Sequence, residues 1–406
     1  MTDCRLNNTR DKARKLAVLV AIASALAAVS AGCGSRVVQE QAVQPELVHS
    51  PAGAGSGLDG TSDSVWQKGA ESDGEMGTEP GEEGADLDKP GVPYTAIAPL
   101  TGLPVERELT ERPIMVLVEN SPQARPQTGL DEADLVYELL AEGDITRFAA
   151  VYHSRSPEVI GPVRSLRPYF AELGEGLDAY IVHAGWSPAA KEMLIKRKLH
   201  HFDEVYGDGE YYWRDKKRKM PNNLYTSIQL IRQGVQDKKY RLDWKKPKPM
   251  FMEPQANGAT DAGREPENGG LQTERSDVNE QLAAKATIAY MRSYSVSYEY
   301  EPERGVYLRS MNGKPHNDAA TGKTLSAANV IICFAPHRVV DSVGRREIGL
   351  SGPGEAILLR DGKRMNVTWE RKDGLIRLYQ NGKEIGLKPG QTWVQIVPTA
   401  TPVKFG

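Results

Sequence analysis

Cysteine is scarce in this chain: only Cys4, Cys33 and Cys333 occur among 406 residues. Cys4 and Cys33 both fall within the 33-residue leader read below, which leaves Cys333 alone beyond it, so no disulfide is expected within the mature chain and its core must hold it together. Cys333, inside Val330-Ile331-Ile332-Cys333-Phe334, reads as a small buried hydrophobe, because a reactive thiol needs an electropositive, partly exposed setting. Net charge is scarce too, −3 over the whole chain, which gives no bias toward nucleic acid. A phosphate-binding glycine loop of the P-loop or dinucleotide kind is missing, and no cofactor is implied. The apolar run Leu16 to Ala31 has about 16 residues, short of the ~20 that a spanning helix needs.

What that run does have is the layout of an export signal. Arg5, Arg10, Lys12, Arg14 and Lys15 precede it, and Ser30-Ala31-Gly32-Cys33 close it. The closing residues resemble the lipobox of bacterial lipoproteins, in which the cysteine is acylated and becomes the new N-terminus. Ser30 stands where that pattern favours Leu; an ordinary cleaved signal and an uncleaved anchor are the alternatives. Residues 1–33 are thus expected to be a lipoprotein signal peptide and Cys33 the lipidation site, carrying acyl chains such as palmitate. Each buried CH₂ contributes about 0.8 kcal/mol, so two chains anchor stably where one does not. The expected location is the outer face of the bacterial cytoplasmic membrane.

Residues 34–93 are rich in Gly, Ser, Glu and Asp and end in an acidic tract from Glu71 to Asp88. Such a composition buries too little apolar surface to offset chain entropy and predicts a disordered tether with a reach of about 40 Å. A second break spans 245–281, opening on Lys245-Lys246-Pro247-Lys248-Pro249, and reads as a disordered linker or loop. That basic cluster and Lys216-Lys217-Arg218-Lys219 read first as solvated surface. Between the breaks, residues 94–244 read as an α/β or α+β N-terminal domain. Ile114 to Val118 is strand-length and apolar, Leu135–Ala141 and Ile145–His153 flank Glu142-Gly143-Asp144 as a hairpin would, and Asp178–Ala184 is another strand. A helix over 133–142 is the competing reading of the hairpin. Ser187-Pro188 predicts an N-cap for a helix to about Lys198, and 223–236 predicts a further helix. After 282 the pattern is short β segments with Asn312-Gly313, Asp361-Gly362 and Asn381-Gly382 as tight turns, a mostly β C-terminal domain.

A series of runs in the first folded region carries a resemblance: Pro99 to Pro104, Arg112-Pro113, Ala124-Arg125-Pro126-Gln127-Thr128-Gly129-Leu130, Ile145 to Phe148, Ile160 to Phe170, His183-Ala184-Gly185 and Trp213-Arg214-Asp215. The tail adds Gly313-Lys314-Pro315-His316-Asn317-Asp318 and Gly390-Gln391-Thr392-Trp393-Val394. Together they resemble the YerB-like lipoproteins, a family built around a domain of unknown function, across Tyr94 to Pro398 except 245–281. The resemblance implies a two-domain bacterial lipoprotein and no particular reaction.

Chemistry must therefore be read from the residues. Arg125, Arg147, Arg164, Arg167 and Arg214 sit in loops or near strand ends, where a guanidinium presents its fork to a carboxylate or phosphate. Ser165 adds a donor, and Asp215 and His183 complete a candidate ligand-binding set. The alternative is that the arginines pair with Glu119, Glu138, Glu142 and Asp215 to hold loops. His183, oriented by Asp215 or Glu138, is a candidate general base, against the commoner hydrogen-bonded core histidine. Gly185-Trp186-Ser187 lacks the second glycine of a nucleophile elbow. His200 and His201, adjacent on a strand, face opposite ways, and no metal site is expected. Two functions follow: binding of an anionic cell-wall polymer or an envelope protein, or an enzyme acting on a phosphorylated or carboxylated envelope substrate.

Overall fold

The computed structural model describes residues 95–245, 247, 250–251 and 280–406. The leader with Cys33, the acidic stretch and nearly all of 245–281 lie outside the described residues. No helix among the described residues is long and apolar enough to cross a membrane.

Five strands of the N-terminal part enter the main sheet: β1 (Ile114–Glu119), β2 (Leu135–Leu140), β3 (Thr146–Tyr152), β4 (Tyr180–His183) and β5 (His201–Asp203). Three α-helices accompany them, α1 (Pro168–Gly176), α2 (Pro188–Arg197) and α3 (Ile228–Asp237). Beyond residue 280 the described chain is all strand. Its principal strands are β6 (Lys285–Met291), β7 (Tyr294–Glu301), β8 (Val306–Met311), β9 (Asn329–Ala335), β10 (Gly354–Arg360), β11 (Lys363–Lys372), β12 (Leu375–Gln380), β13 (Lys383–Ile385), β14 (Thr392–Pro398) and β15 (Val403–Phe405). A mixed α/β first part and a β second part are what the composition predicts.

The hairpin reading of β2 and β3 holds, paired from Leu135–Val151 to Leu140–Thr146. The helix alternative fails because Leu135, Tyr137 and Leu139 enter one core while Val136 and Leu140 enter another. That split has the period of two that only a strand provides. Asn312, Asp361 and Asn381, with the glycines after them, all take positive φ, as tight hairpin turns require. Ser187 caps α2 by accepting from the Ala190 amide at 3.3 Å. The helix expected over 223–236 begins later, at Ile228, because Leu224-Tyr225 instead pairs with Trp213-Arg214.

One main sheet joins the two parts. In it β14 lies parallel to β9 on one side and to β2 on the other, with registers Val394–Ile331 and Val394–Tyr137. The order across the sheet is β13-β12-β11-β10-β9-β14-β2-β3-β1-β4-β5. The break at 245–281 therefore separates two stretches of sequence that share a sheet, and the described residues group as one compact unit. One face is packed by the second sheet, where β8, β7, β6 and β15 are neighbours, and by α3; the other is packed by α1 and α2. Cys333 is buried in β9, where burial pushes its thiol pKa well up, in keeping with its reading as a small hydrophobe.

Between the sheets lies a buried polar cluster. Arg309 of β8 donates to Glu138 of β2 at 2.7 Å, both side chains being fully inaccessible. Tyr294 OH and Thr146 Oγ1 donate to the other carboxylate oxygen at 2.6 and 2.7 Å. Arg309 Nε donates to His316 Nδ1 at 3.0 Å, and His316 Nε2 then donates to Gln127 Oε1 at 2.8 Å. Burial, with Arg309 and Arg125 adding to it, pushes the His316 pKa well down, consistent with a neutral ring that accepts at Nδ1.

Candidate functional site

The sequence-predicted residues fall into three places. The first is the carboxyl edge of β1 and β4, where α/β sheets commonly place ligands. Glu119 ends β1, and Arg147, the second residue of the antiparallel β3, lies directly opposite. Arg164 Nε and Arg147 Nη2 donate to Glu119 Oε2 at 2.9 and 3.3 Å, Arg147 Nη1 donates to the Ser165 carbonyl at 2.7 Å, and Arg167 pairs with Glu142. Burial pushes the Glu142 carboxyl up, but the hydrogen bond from Arg167 and the charges of Arg147 and Arg167 outweigh it and hold the group below its ordinary value. Three arginines against two carboxylates thus tie the 164–167 loop to the strand ends, the pairing alternative for Arg147, Arg164 and Arg167. Only Arg164, 29% exposed, keeps appreciable contact with solvent.

His183 forms the second place. It is fully buried, its Nδ1–H donates to the Gly185 carbonyl at 3.0 Å, and Nε2 accepts from His201 Nδ1 at 3.2 Å. Asp203 accepts from the Gly185 and Val205 amides at 2.7 and 3.1 Å, with its second oxygen 3.8 Å from the His183 ring. Burial, followed by the neighbouring His201, lowers the His183 pKa to about 3. Neither Asp215 nor Glu138 orients it, so this is the core histidine of the commoner reading. His200 points the other way, stacked on Tyr240 at 4.3 Å.

The third place is a cavity of about 440 Å³. It brings together three of the sequence runs: Arg125, Pro126 and Thr128 from the first, Trp213 and Asp215 from the second, and Ala319 next to the third. Val159, Arg218 and Tyr225 complete the lining. Each wall has a local cause. Trp213-Arg214 pairs antiparallel with Leu224-Tyr225 in the register Trp213–Tyr225. Side chains alternate along such a ladder, so Trp213 and Asp215 reach the cavity while Arg214 turns to Glu204 at 2.7 Å and Asn223 at 3.0 Å. The Trp213 and Tyr225 rings stack with centroids 6.2 Å apart. Gly161 lets its segment pass under this ladder, since a Cβ there would lie 2.7 Å from the Leu224 carbonyl. The Ala319 amide donates to the Gln127 carbonyl at 2.7 Å, which brings the C-terminal run to the rim.

Two arginines and one carboxylate line the space. Arg218 donates to Tyr225 OH at 2.6 Å and to the Pro126 carbonyl at 3.1 Å, so it braces the wall. Arg125 is held at Nε by Asn120 Oδ1, 3.1 Å, and at Nη2 by the Asn120 carbonyl, 2.7 Å, and lies over the Tyr294 ring. Its Nη1 has no protein partner among the described residues. Asp215 accepts from the Lys217 amide at 2.8 Å, which closes a turn and leaves Lys216, Lys217 and Lys219 exposed beside the cavity. Of the five predicted arginines, only Arg125 lines it. Arg218, Trp213 and Tyr225 escaped the sequence reading as site residues; the i, i+2 spacing of Trp213 and Asp215 was the available signal, whereas Arg218 is indistinguishable in sequence from its lysine neighbours. A second cavity of about 500 Å³, between α1 and the 337–348 hairpin, has balanced charge, with Arg338 paired to Glu347 and Arg346 held by the Ala141 and Gly143 carbonyls.

Comparison with known proteins places this architecture. Residues 100–241 match the family described as Protein of unknown function (DUF3048) N-terminal domain, and residues 286–394 match the corresponding C-terminal domain. A relative named "Putative lipoprotein YerB", from Bacillus subtilis (strain 168), is 37% identical over 314 residues, 76% of this chain and 89% of the relative. The crystal structure of YerB protein from Bacillus subtilis is similar with a TM-score of 0.66 and 34% identity, over 76% of this chain and 100% of that one. These matches agree with the resemblance carried by the sequence runs. With both domains present in order, the chain belongs to the DUF3048 family, whose function is unknown.

Proposed function

We propose that this protein is an extracytoplasmic lipoprotein, held by acylated Cys33 at the outer face of the cytoplasmic membrane, that binds an anionic component of the cell envelope. The similarity to a relative named as a lipoprotein and the Ser30-Ala31-Gly32-Cys33 ending support the anchor. The observation that carries the binding reading is the cavity in which Arg125, braced through two of its nitrogens, keeps a third for a ligand. A pre-positioned guanidinium loses little freedom when it meets a carboxylate or phosphate. Envelope chemistry catalysed from His183 has no such support, since that ring is buried and satisfied on both nitrogens.

The test is a comparison of Arg125→Gln with Arg164→Gln. A charge-assisted contact contributes about 1.5–3 kcal/mol, so Arg125→Gln is expected to weaken binding of isolated wall polymers about tenfold or more, with a loss of thermal stability set by its hydrogen bonds to Asn120 and its contact with Tyr294. Arg164→Gln is expected to lower the melting temperature, because it removes a partner from buried Glu119, and to leave binding nearly unchanged. Equal binding by the parent and Arg125→Gln overturns the assignment of the cavity.

A further inference from the structure

The cavity offers more than a cation. Trp213, 37% exposed, presents its ring at the cavity, backed by the buried Tyr225 ring stacked with it, and an aromatic face suits the C–H face of a sugar or polyol, being apolar and electron-rich. Asp215 has one carboxylate oxygen engaged by the Lys217 amide, which leaves its second as an acceptor for hydroxyl groups. An acceptor carboxylate in a site for a purely anionic ligand would be repulsive; beside a hydroxylated anion it is complementary. The turn that Asp215 closes carries Lys216, Lys217 and Lys219 outward, exposed and without an ion-pair partner among the described residues, so positive charge continues past the cavity along one direction of the chain.

From this combination we infer that the ligand is a hydroxylated, repeatedly anionic chain. One polyol or sugar unit lies against Trp213, its hydroxyls on Asp215 and its anionic group on Arg125, while the following charges run along Lys216, Lys217 and Lys219. The inference rests on the anion-binding reading of the same cavity and adds the substrate class. Its chemistry is shared by poly(glycerol phosphate), where the charge is a phosphodiester, and by polygalacturonate, where it is a uronic carboxylate.

The experiment measures binding of the protein, with its leader and Cys33 replaced by a soluble N-terminus after residue 33, to four polymers of matched length: poly(glycerol phosphate), polygalacturonate, poly-L-glutamate and dextran. At least one of the first two is expected to bind ten times or more tighter than poly-L-glutamate, and dextran is expected to bind at background; which of the two leads identifies phosphate or carboxylate as the recognised anion. Trp213→Ala is expected to erase the preference over poly-L-glutamate, and Trp213→Phe, which keeps a ring, to retain most of it; the pair separates loss of stacking from loss of fold. The triple substitution Lys216→Gln, Lys217→Gln, Lys219→Gln is expected to flatten the dependence of affinity on salt, since exposed charges are the ones that salt screens. Poly-L-glutamate binding as tightly as both hydroxylated polyanions overturns this inference and leaves anion binding standing. Dextran binding as tightly as the polyanions, or no polymer binding above background, overturns both.

Discussion

Arg309→Met is expected to destabilise the folded protein by about 3–5 kcal/mol, the range for removing one partner of a buried ion pair. Glu138 Oε2 would be stranded in a site with no solvent access, its 2.7 Å partner gone. Tyr294 and Thr146 go on donating to Oε1, so they do not compensate the stranded atom. The guanidinium also sits 4.6 Å from the centroid of the Trp393 ring, and methionine keeps some of that packing while discarding the charge. The double variant Glu138→Met, Arg309→Met is expected to recover part of the loss, because it removes the uncompensated charge altogether. Denaturant midpoints check this: a single variant within about 1 kcal/mol of the parent, on the scale of an exposed pair, would mean that this pair does not lock the two sheets together.

Cys33→Ala is expected to move the protein from the membrane fraction to the soluble one, or to leave it as an unprocessed precursor. The effect is expected to be close to all-or-none because, in the proposed anchor, two or more acyl chains rest on a single sulfur and amine. Fractionation with a mobility assay for processing reads it directly. Retention in the membrane with unchanged processing would remove the lipoprotein anchor from the proposal.

Local structure was legible where the signal is local. The apolar run of β1, the Glu142-Gly143-Asp144 connection between β2 and β3, the Ser187 cap and the Asn-Gly and Asp-Gly turns each declare themselves within about ten residues. Partner choice does not. Nothing in Thr392–Pro398 says that it will insert between Asn329–Ala335 and Leu135–Leu140, so a break in composition at 245–281 gives no warning that one sheet continues across the sequence on either side of it. The same limit governs the charges. Glu138 was legible as a carboxylate needing a cation, yet its partner is 171 residues away. Asp215 and Arg125 were legible as candidate site residues, but Arg218 turns inward through bonds to Tyr225 and to the loop at Pro126, a fate that its basic neighbours do not share.

Whether the cavity lined by Arg125, Trp213 and Tyr225 holds a hydroxylated anion is decided by a crystal structure of the protein grown with a short polygalacturonate or poly(glycerol phosphate) oligomer. An anionic group is expected within hydrogen-bond distance of Arg125 Nη1, with a polyol unit against the Trp213 ring. An oligomer bound instead at Arg164 on the carboxyl edge, with the cavity holding only solvent, would contradict that expectation.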